Sequence, residues 1–342
     1  MVTGGAGFIG SHFTKLALTR GYAVTVIDKL TYSGSIKNLI KLKEVNDFEF
    51  IEGSILDEIL LDKVFKNKQY NAILNFAAET HVDRSIENSS EFLLTNILGV
   101  QKLISSSMKL LQENKNFKFI QISTDEVFGS IEDGHFDEKS MYSPNSPYAA
   151  SKAGGDHLLS SYCKTFDFPG IITNCSNNYG SNQFPEKLVP LLITKALQKK
   201  QLPIYGNGKQ IRDWLHVDDH CNALMYILEK GISGNQYVIG GDNCIKNIDM
   251  ALNICSLLDE IKPLKNMKYK KLIKFVKDRP GHDQRYSVNA SKIKNELGWS
   301  PRVEFLDGLR DTVNWYINNE NWWKNILPYN YDGQRLGLKS KD

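Results

Sequence analysis

Tyr148 and Lys152 stand four residues apart in Ser146-Pro147-Tyr148-Ala149-Ala150-Ser151-Lys152. On a helix that spacing puts both side chains on one face. An ammonium beside a phenol favours the phenolate, which lowers the tyrosine pKa from about 10 and provides a general base for an alcohol. A second constellation, Ser123-Thr124-Asp125-Glu126, follows the apolar run Phe119-Ile120-Gln121-Ile122 and so falls at the C-terminal end of a strand. A hydroxyl and two adjacent carboxylates offer an acid and a base side by side, and their repulsion keeps one protonated while the other ionises. Each group also has a plainer reading, as a surface Tyr/Lys pair or as a capped turn with a solvated glutamate.

These side chains need a scaffold, and the first turn of the chain indicates which one. Thr3-Gly4-Gly5-Ala6-Gly7-Phe8-Ile9-Gly10 carries glycines at 4, 7 and 10. Such glycines let a tight strand-to-helix turn approach a pyrophosphate at the helix N-terminus. Asp28 follows the next apolar run at the spacing of an acid that binds a ribose 2′-hydroxyl, and its charge would repel a 2′-phosphate. The expected cofactor is therefore NAD, not NADP. Only Met1-Val2-Thr3 precede the glycines, fewer than the roughly five residues of an ordinary strand.

Around these motifs, β-branched runs at 24–27, 48–51, 72–76, 119–122 and 170–173 alternate with helical patterns near 10–20, 91–112 and 149–165. Alternation of this kind predicts βαβ units and a parallel sheet covered on both faces. The expected fold is α/β: a Rossmann-type doubly wound parallel sheet with a smaller, interleaved C-terminal α/β substrate domain. Residues 1–178 form the dinucleotide-binding part, with roughly 212–236 returning to it, and 179–342 are mainly the substrate part. The C-terminal aromatics through Trp315, Tyr316, Trp322 and Trp323 predict a helical region with real burial.

Composition narrows the function classes. The 342 residues hold 42 Lys and Arg against 39 Asp and Glu, a net charge of +3 that gives no reason to expect nucleic acid as a partner. The lysine-rich stretch 262–277 reads as a solvated surface. Apolar runs are too short for a membrane span, and Gly4 to Gly7 interrupt the one early hydrophobic segment, so neither a membrane nor a secretory signal is expected. Five scattered cysteines without a Cys-x-x-Cys predict reduced buried thiols, a cytoplasmic location and no metal.

Taken together, the Thr3–Ser11 turn, Asp28-Lys29-Leu30-Thr31-Tyr32, Ala77-Ala78-Glu79-Thr80-His81-Val82-Asp83-Arg84-Ser85, Ser123–Val127 and Tyr148-x-x-x-Lys152 resemble the dTDP-glucose 4,6-dehydratases. These are the nucleotide-sugar 4,6-dehydratase branch of the extended short-chain dehydrogenase/reductase family. The likeness continues through Asn177-Asn178-Tyr179-Gly180, Gln183–Leu188, Arg212–Leu215, Arg279–Asp283 and Asn330–Gly333, almost the whole chain.

The resemblance implies oxidation at the sugar C4 by NAD, elimination of water across C5 and C6, and hydride return to C6. Tyr148, assisted by Lys152 and Thr124, would take the C4 hydroxyl proton. Glu126 would remove the C5 proton, and Asp125 would protonate the departing C6 hydroxyl. It also implies cofactor contacts from Gly4, Gly7, Phe8, Ile9, Gly10, Asp28, Lys29, Leu30, Thr31, Ser54, Ile55, Phe76, Ala77, Ala78, Thr95, Tyr148, Lys152 and Asn178. Contacts to the nucleotide sugar would come from Thr80, Thr124, Asn177, Lys187, Leu188, Pro203, Tyr205, Arg212, Asn247, Arg279, His282 and Tyr331. Arg212 and Arg279 suit a diphosphate, because a guanidinium fork pairs two phosphate oxygens. A homodimer built on the 91–112 and 149–165 helices is implied as well.

Two departures bear on specificity. Ser54 stands where the family usually has an Asp that reaches the adenine amino group. Gly180-Ser181-Asn182-Gln183 replaces the usual Gly-Pro-Tyr-Gln, and Asn182 is more similar to the UDP-glucose 4,6-dehydratases. Thymine and uracil differ by one methyl, worth about 1–3 kcal/mol in a pocket, so a uracil nucleotide stays the alternative substrate, for the same deoxysugar or rhamnose chemistry. A 4-epimerase needs the tyrosine, lysine and NAD but has no leaving water to protonate, which the Asp125-Glu126 pair argues against. A non-catalytic nucleotide-sugar binder would have lost a catalytic group, and all five are present.

Overall fold

The computed structural model describes residues 1–327. Its strands are β1 (Val2–Thr3), β2 (Val24–Asp28), β3 (Phe48–Glu52), β4 (Ala72–Asn75), β5 (Lys118–Thr124), β6 (Gly170–Cys175), β7 (Asn177–Tyr179), β8 (Leu202–Tyr205), β9 (Ile211–His216), β10 (Gln236–Ile239), β11 (Cys244–Lys246) and β12 (Ile273–Val276). Seven of them form one parallel sheet in the order β10-β6-β5-β4-β1-β2-β3. Apolar runs without polar alternation demand this arrangement, because both faces of a parallel sheet are covered by helices. All five residues of β2 are buried. The strand order reverses between β1 and β4, and the crevice at such a switch point is where doubly wound folds take their ligands.

β1 holds only two residues in register, Val2 opposite Val26 and Leu74 and Thr3 opposite Ile27 and Asn75. Polar side chains stitch the centre of the sheet together. Thr3 Oγ1 donates to Asn75 Oδ1 at 2.5 Å, and Asn75 Nδ2 donates to Gln121 Oε1 at 2.8 Å.

Two apolar clusters cover the sheet. One joins Phe13 and Ala17 of the Phe8–Thr19 helix to Cys221, Leu224 and Ile227 of the Val217–Lys230 helix, and also takes in Ile239, Ile293 and Trp299. The other packs Leu61, Phe65, Leu103, Ile104 and Leu159 beneath Ile27, Ile73 and Phe119. A third core lies away from the sheet, with Leu192, Ile193, Ile254, Leu258, Leu309, Tyr316 and Trp323 at its centre. Around it run the three-stranded β11-β9-β7 and two-stranded β12-β8 sheets and the C-terminal helices Phe305–Asn318 and Glu320–Ile326.

Three details differ from the sequence expectation. The pattern over 91–112 is not one helix: it runs as Ser90–Leu93, a π-helical turn Leu94–Gly99, then Val100–Ser107 and Leu110–Glu113. The π turn carries Asn96, whose side-chain Nδ2 donates to Glu79 O at 2.9 Å and to Ser151 Oγ at 2.8 Å. Within 262–277 every lysine is exposed, yet Tyr269 is buried and β12 pairs with β8, so the stretch contributes to the third core as well as to the surface. Of the five free cysteines, Cys244 is exposed on the edge strand β11 and Cys163 is half-buried at the margin of the second apolar cluster, so the thiols are not all buried. No described helix is long and apolar enough to cross a membrane, and no metal-ligating cluster occurs among the described residues.

Candidate active site

A cavity opens along the C-terminal ends of β1, β2, β4, β5 and β6, at the switch point. Gly4, Gly7, Phe8, Ile9 and Gly10 line one end, with Asp28, Lys29, Thr31, Ser54 and Ile55 beside them. Phe76, Ala77, Ala78 and Thr95 line its middle. Thr124, Asp125, Glu126, Tyr148, Lys152, Asn177, Asn178, Thr80, Lys187 and Leu188 line the other end.

The glycine turn leaves no room for side chains. Gly4 has φ +68°, and a Cβ there would stand 2.6 Å from the backbone nitrogen of Ala77. A Cβ on Gly10 would lie 2.4 Å from the Gly4 carbonyl oxygen. Gly10→Ala therefore forces backbone apart and is expected to cost about 1–3 kcal/mol of stability, read as a lower Tm, together with loss of dinucleotide retention. A variant that melts and retains dinucleotide like the wild type would contradict this close approach.

Asp28 both shapes and faces this end. Its Oδ2 accepts from Ala6 N at 2.9 Å and its Oδ1 from Leu30 N at 2.8 Å, and burial pushes its pKa up. The plainer turn-capping role is thus real, and the same carboxylate lines the cavity, where its remaining lone pairs suit a ribose hydroxyl. Leu30, at φ 51°, turns the chain but is not part of the lining. Lys29 pairs with Glu79 at 3.3 Å. Ser54 Oγ accepts from Leu56 N at 3.1 Å. Thr95, on the π turn, has a buried hydroxyl without a partner, and so does the Asn177 side-chain oxygen. A tight glycine cradle, a carboxylate at the end of β2 and unpartnered polar atoms facing the cavity fit a dinucleotide.

At the chemical end, Ser146 caps the Pro147–Phe166 helix by accepting from Ala149 N at 3.1 Å, with Pro147 at its first position. That start places Tyr148 inside the first turn and Lys152 one turn later. Tyr148 is 7% exposed, its backbone nitrogen donates to Ser85 Oγ at 3.1 Å, and its hydroxyl meets the Thr124 side chain. Thr124 Oγ1 also accepts from Glu126 N at 3.2 Å and so starts the short 3₁₀ turn Asp125–Phe128 that aims both carboxylates.

The expectation that Lys152 lowers the Tyr148 pKa is corrected. Burial pushes the phenol well up, and the carboxylates of Glu126 and Asp125 push in the same direction. Lys152 is itself lowered by burial, and its ammonium donates to the Ile122 carbonyl at 2.7 Å. Burial first, then Glu126 and Asp213, hold Asp125 well above the usual carboxylate range, and its Oδ2 is buried without a partner. A carboxyl shifted in this direction and lining the cavity suits the role of an acid.

The remaining predicted sugar contacts form a neighbouring cluster off the cavity lining. Tyr205 donates to Asp83 Oδ2 at 2.9 Å, Arg279 reaches Asp83 Oδ1 at 3.3 Å, and His282 Nδ1 meets Asp278 at 2.6 Å. Arg212 stacks 4.2 Å from the centre of the Tyr286 ring, while its Nη2 donates to Asp283 O at 2.9 Å. Arg279 Nε and Asn247 Oδ1 are buried and unpartnered. Pro203 sits beside Tyr205 on β8. Glu126 acts electrostatically on Lys187, Arg212, Arg279 and Tyr286, so this basic cluster borders the chemical end. Tyr331 lies outside the described residues.

Several lining residues escaped sequence reasoning, among them Ser33, Gly53, Cys175, Gln183, Glu186 and Trp214. Glu186 is the telling case. It accepts from Tyr32 at 2.9 Å and pairs with Arg84 at 3.3 Å, three residues far apart in the chain. Its neighbour Lys187 donates to Thr80 O at 2.7 Å. Its position beside Lys187 was a usable signal.

A family model described as GDP-mannose 4,6 dehydratase matches residues 1–312. The chain belongs to this family. Within it, the chain is 44% identical to a dTDP-glucose 4,6-dehydratase of Escherichia coli over 99% of both chains. Its identity is 46%, over 98% of both, to one of Xanthomonas campestris pv. campestris. The dTDP-glucose 4,6-dehydratase of Streptomyces venezuelae, solved with NAD bound, superposes with a TM-score of 0.89 at 41% identity, covering 95% of this chain and 99% of that one.

Proposed function

We propose that this family member is an NAD-dependent nucleotide-sugar 4,6-dehydratase, a hydro-lyase that converts dTDP-glucose to dTDP-4-keto-6-deoxyglucose and water. The observation that carries the reading is Asp125, a buried carboxyl adjacent to Glu126 that lines the same cavity as Tyr148 and that burial and the neighbouring charges hold well above the usual carboxylate range. Oxidation alone, or epimerisation, leaves that acid without a task. Full-length likeness to dTDP-glucose 4,6-dehydratases supports the same reaction.

In this assignment Gly4 to Gly10 hold the NAD pyrophosphate and Asp28 its ribose. When bound, NAD supplies the acceptor, and later the donor, of a hydride. Tyr148, through the hydroxyl bonded to Thr124, takes the proton of the sugar C4 hydroxyl. The resulting C4 ketone acidifies C5, where Glu126 removes the proton. Asp125 gives its proton to the leaving C6 hydroxyl. Arg212, Arg279 and the unpartnered Asn247 oxygen would orient the nucleoside diphosphate, so that remote binding energy is available for positioning.

We assign residues 1–178 to the dinucleotide-binding body, with the returning segment 212–236 extended to Ile239 because β10 completes its sheet. The rest is mainly the sugar-binding body. A homodimer is supported by Leu93, Leu94 and Leu98, three large apolar side chains exposed on one helical stretch, and would be seen as twice the chain mass in sedimentation. A cytoplasmic setting suits five unbridged cysteines.

The test is mass spectrometry of the purified protein incubated separately with dTDP-glucose and UDP-glucose, without added NAD. Loss of one water from dTDP-glucose is the expected result. A faster loss from UDP-glucose would assign the uracil nucleotide instead. Silence with both sugars, persisting after NAD is added, would defeat the reading.

A further inference from the structure

Asp156 is a buried acid that the reaction above does not use. It lies four residues beyond Lys152 on the Pro147–Phe166 helix, so Tyr148, Lys152 and Asp156 succeed one another along one helical face. It is 1% exposed and Lys152 is 3% exposed. Asp156 Oδ2 accepts from Ser123 Oγ at 2.5 Å and from the Tyr142 hydroxyl at 3.1 Å. Its Oδ1 is buried with no hydrogen-bond partner. The Asn174 side chain is a further donor acting on the same carboxylate.

A lysine buried this deeply sheds its proton unless an opposite charge stands near. Asp156 is the largest favourable charge acting on Lys152, and Lys152 is the largest on Asp156. The other groups facing the pair come from each neighbouring element. From β5 come the Ile122 carbonyl and Ser123; beyond them the 3₁₀ turn carries Asp125 and Glu126. From β6 come Asn174 and the Cys175 thiol, which burial pushes up to about 12 and so keeps neutral. From β10 Gln236 donates to the Tyr142 hydroxyl at 3.2 Å, and on the helix itself His157 rests against the Tyr142 ring. None of these supplies a negative charge behind Lys152 in place of Asp156.

We propose that Asp156 is the counter-ion of Lys152, a positioning residue that keeps the ammonium charged beside Tyr148, with Ser123 and Tyr142 as the donors that keep the carboxylate ionised. The role in turnover rests on the dehydratase reading; the charge pair does not. Burial raises Asp156 to about 6, so the pair is fully formed only above that pH.

Removing the carboxylate leaves Lys152 to lose its proton more readily. Asp156→Asn is expected to move the alkaline limb of the kcat/KM profile acidward by about one pH unit or more, with Asp156→Glu moving it back. A uniform loss of rate with an unmoved profile would mark a merely structural residue and overturn the proposal. Should Asp156→Asn fail to fold, Tyr142→Phe keeps the charge but removes a donor, so the acid limb should move to higher pH; an unmoved limb overturns the proposal. Thermal unfolding at pH 8 provides a readout that needs no sugar. Lys152→Met strands an ionised Asp156, so adding Asp156→Asn to it should raise Tm. A double variant melting at or below Lys152→Met overturns the pairing. If the wild type is silent with both sugars while the Tm rescue holds, the dehydratase reading fails and the pair stands.

Discussion

Tyr148→Phe should abolish C4 oxidation almost entirely, lowering kcat by about 10²–10⁴-fold while the protein stays folded and keeps its dinucleotide. The hydroxyl is the only atom removed. Its loss takes away a partner of the Thr124 side chain, while the ring keeps its edge-to-face contact with Phe92 at 6.3 Å. The pH dependence carries a sign. Burial and the neighbouring carboxylates raise the phenol, so the wild-type rate of oxidation should climb with pH across the neutral range as the hydroxyl is more easily deprotonated. The Phe variant should lack that climb. Single-turnover oxidation measured between pH 6 and 9 checks both, and near-normal oxidation by the variant would remove Tyr148 from the role of base.

Asp125→Asn separates the second half of the reaction from the first. Water loss should slow by about 10²–10⁴-fold, because an amide has no proton to give the C6 hydroxyl. Tyr148 and Glu126 remain, so C4 oxidation and exchange of the C5 hydrogen with deuterated solvent should persist. Full dehydration by the variant would show that another group is the acid.

The same substitution should stabilise the fold. The folded Asp125 has a raised pKa, so its contribution is intact below the ordinary carboxylate value near 3.8 and is lost as pH rises toward the folded value. Asparagine does not ionise in the unfolded chain, so the variant escapes this loss. Its Tm advantage over the wild type should therefore be small at pH 4 and larger at pH 7.5. A functional acid held at the expense of stability predicts this trade. An advantage that does not grow with pH would mean Asp125 is not held protonated.

The local sequence carried much of this protein. The glycine spacing, the acid after the second apolar run and the Ser-Pro start of the Tyr148 helix are short-range patterns, and backbone sterics and capping act over the same few residues. Parallel strands could be recognised because burial on both faces writes itself as unbroken apolar runs. The surroundings of the π turn were not legible, because they are tertiary: the Asn96 side chain bonds to Glu79 and Ser151, which are far from it in the chain. Without that turn Thr95 could be placed near the cofactor only by resemblance.

What the sequence alone determined, then, is which groups exist and roughly where on each element they stand. Their protonation was decided only by the assembled structure. Read locally, Lys152 should lower Tyr148, yet the fold turns its ammonium to the Ile122 carbonyl and surrounds the phenol with carboxylates and apolar walls. Asp125 and Glu126 are neighbours in sequence and look alike there, but the fold buries Asp125 fully and leaves Glu126 half-buried, and sets Asp213 near Asp125. Desolvation and charge act through space, so a pKa belongs to the cavity and not to the motif. The physical difference is range: helix spacing and turn chemistry are settled within a few residues, whereas the field at a buried acid sums over strands joined only by folding.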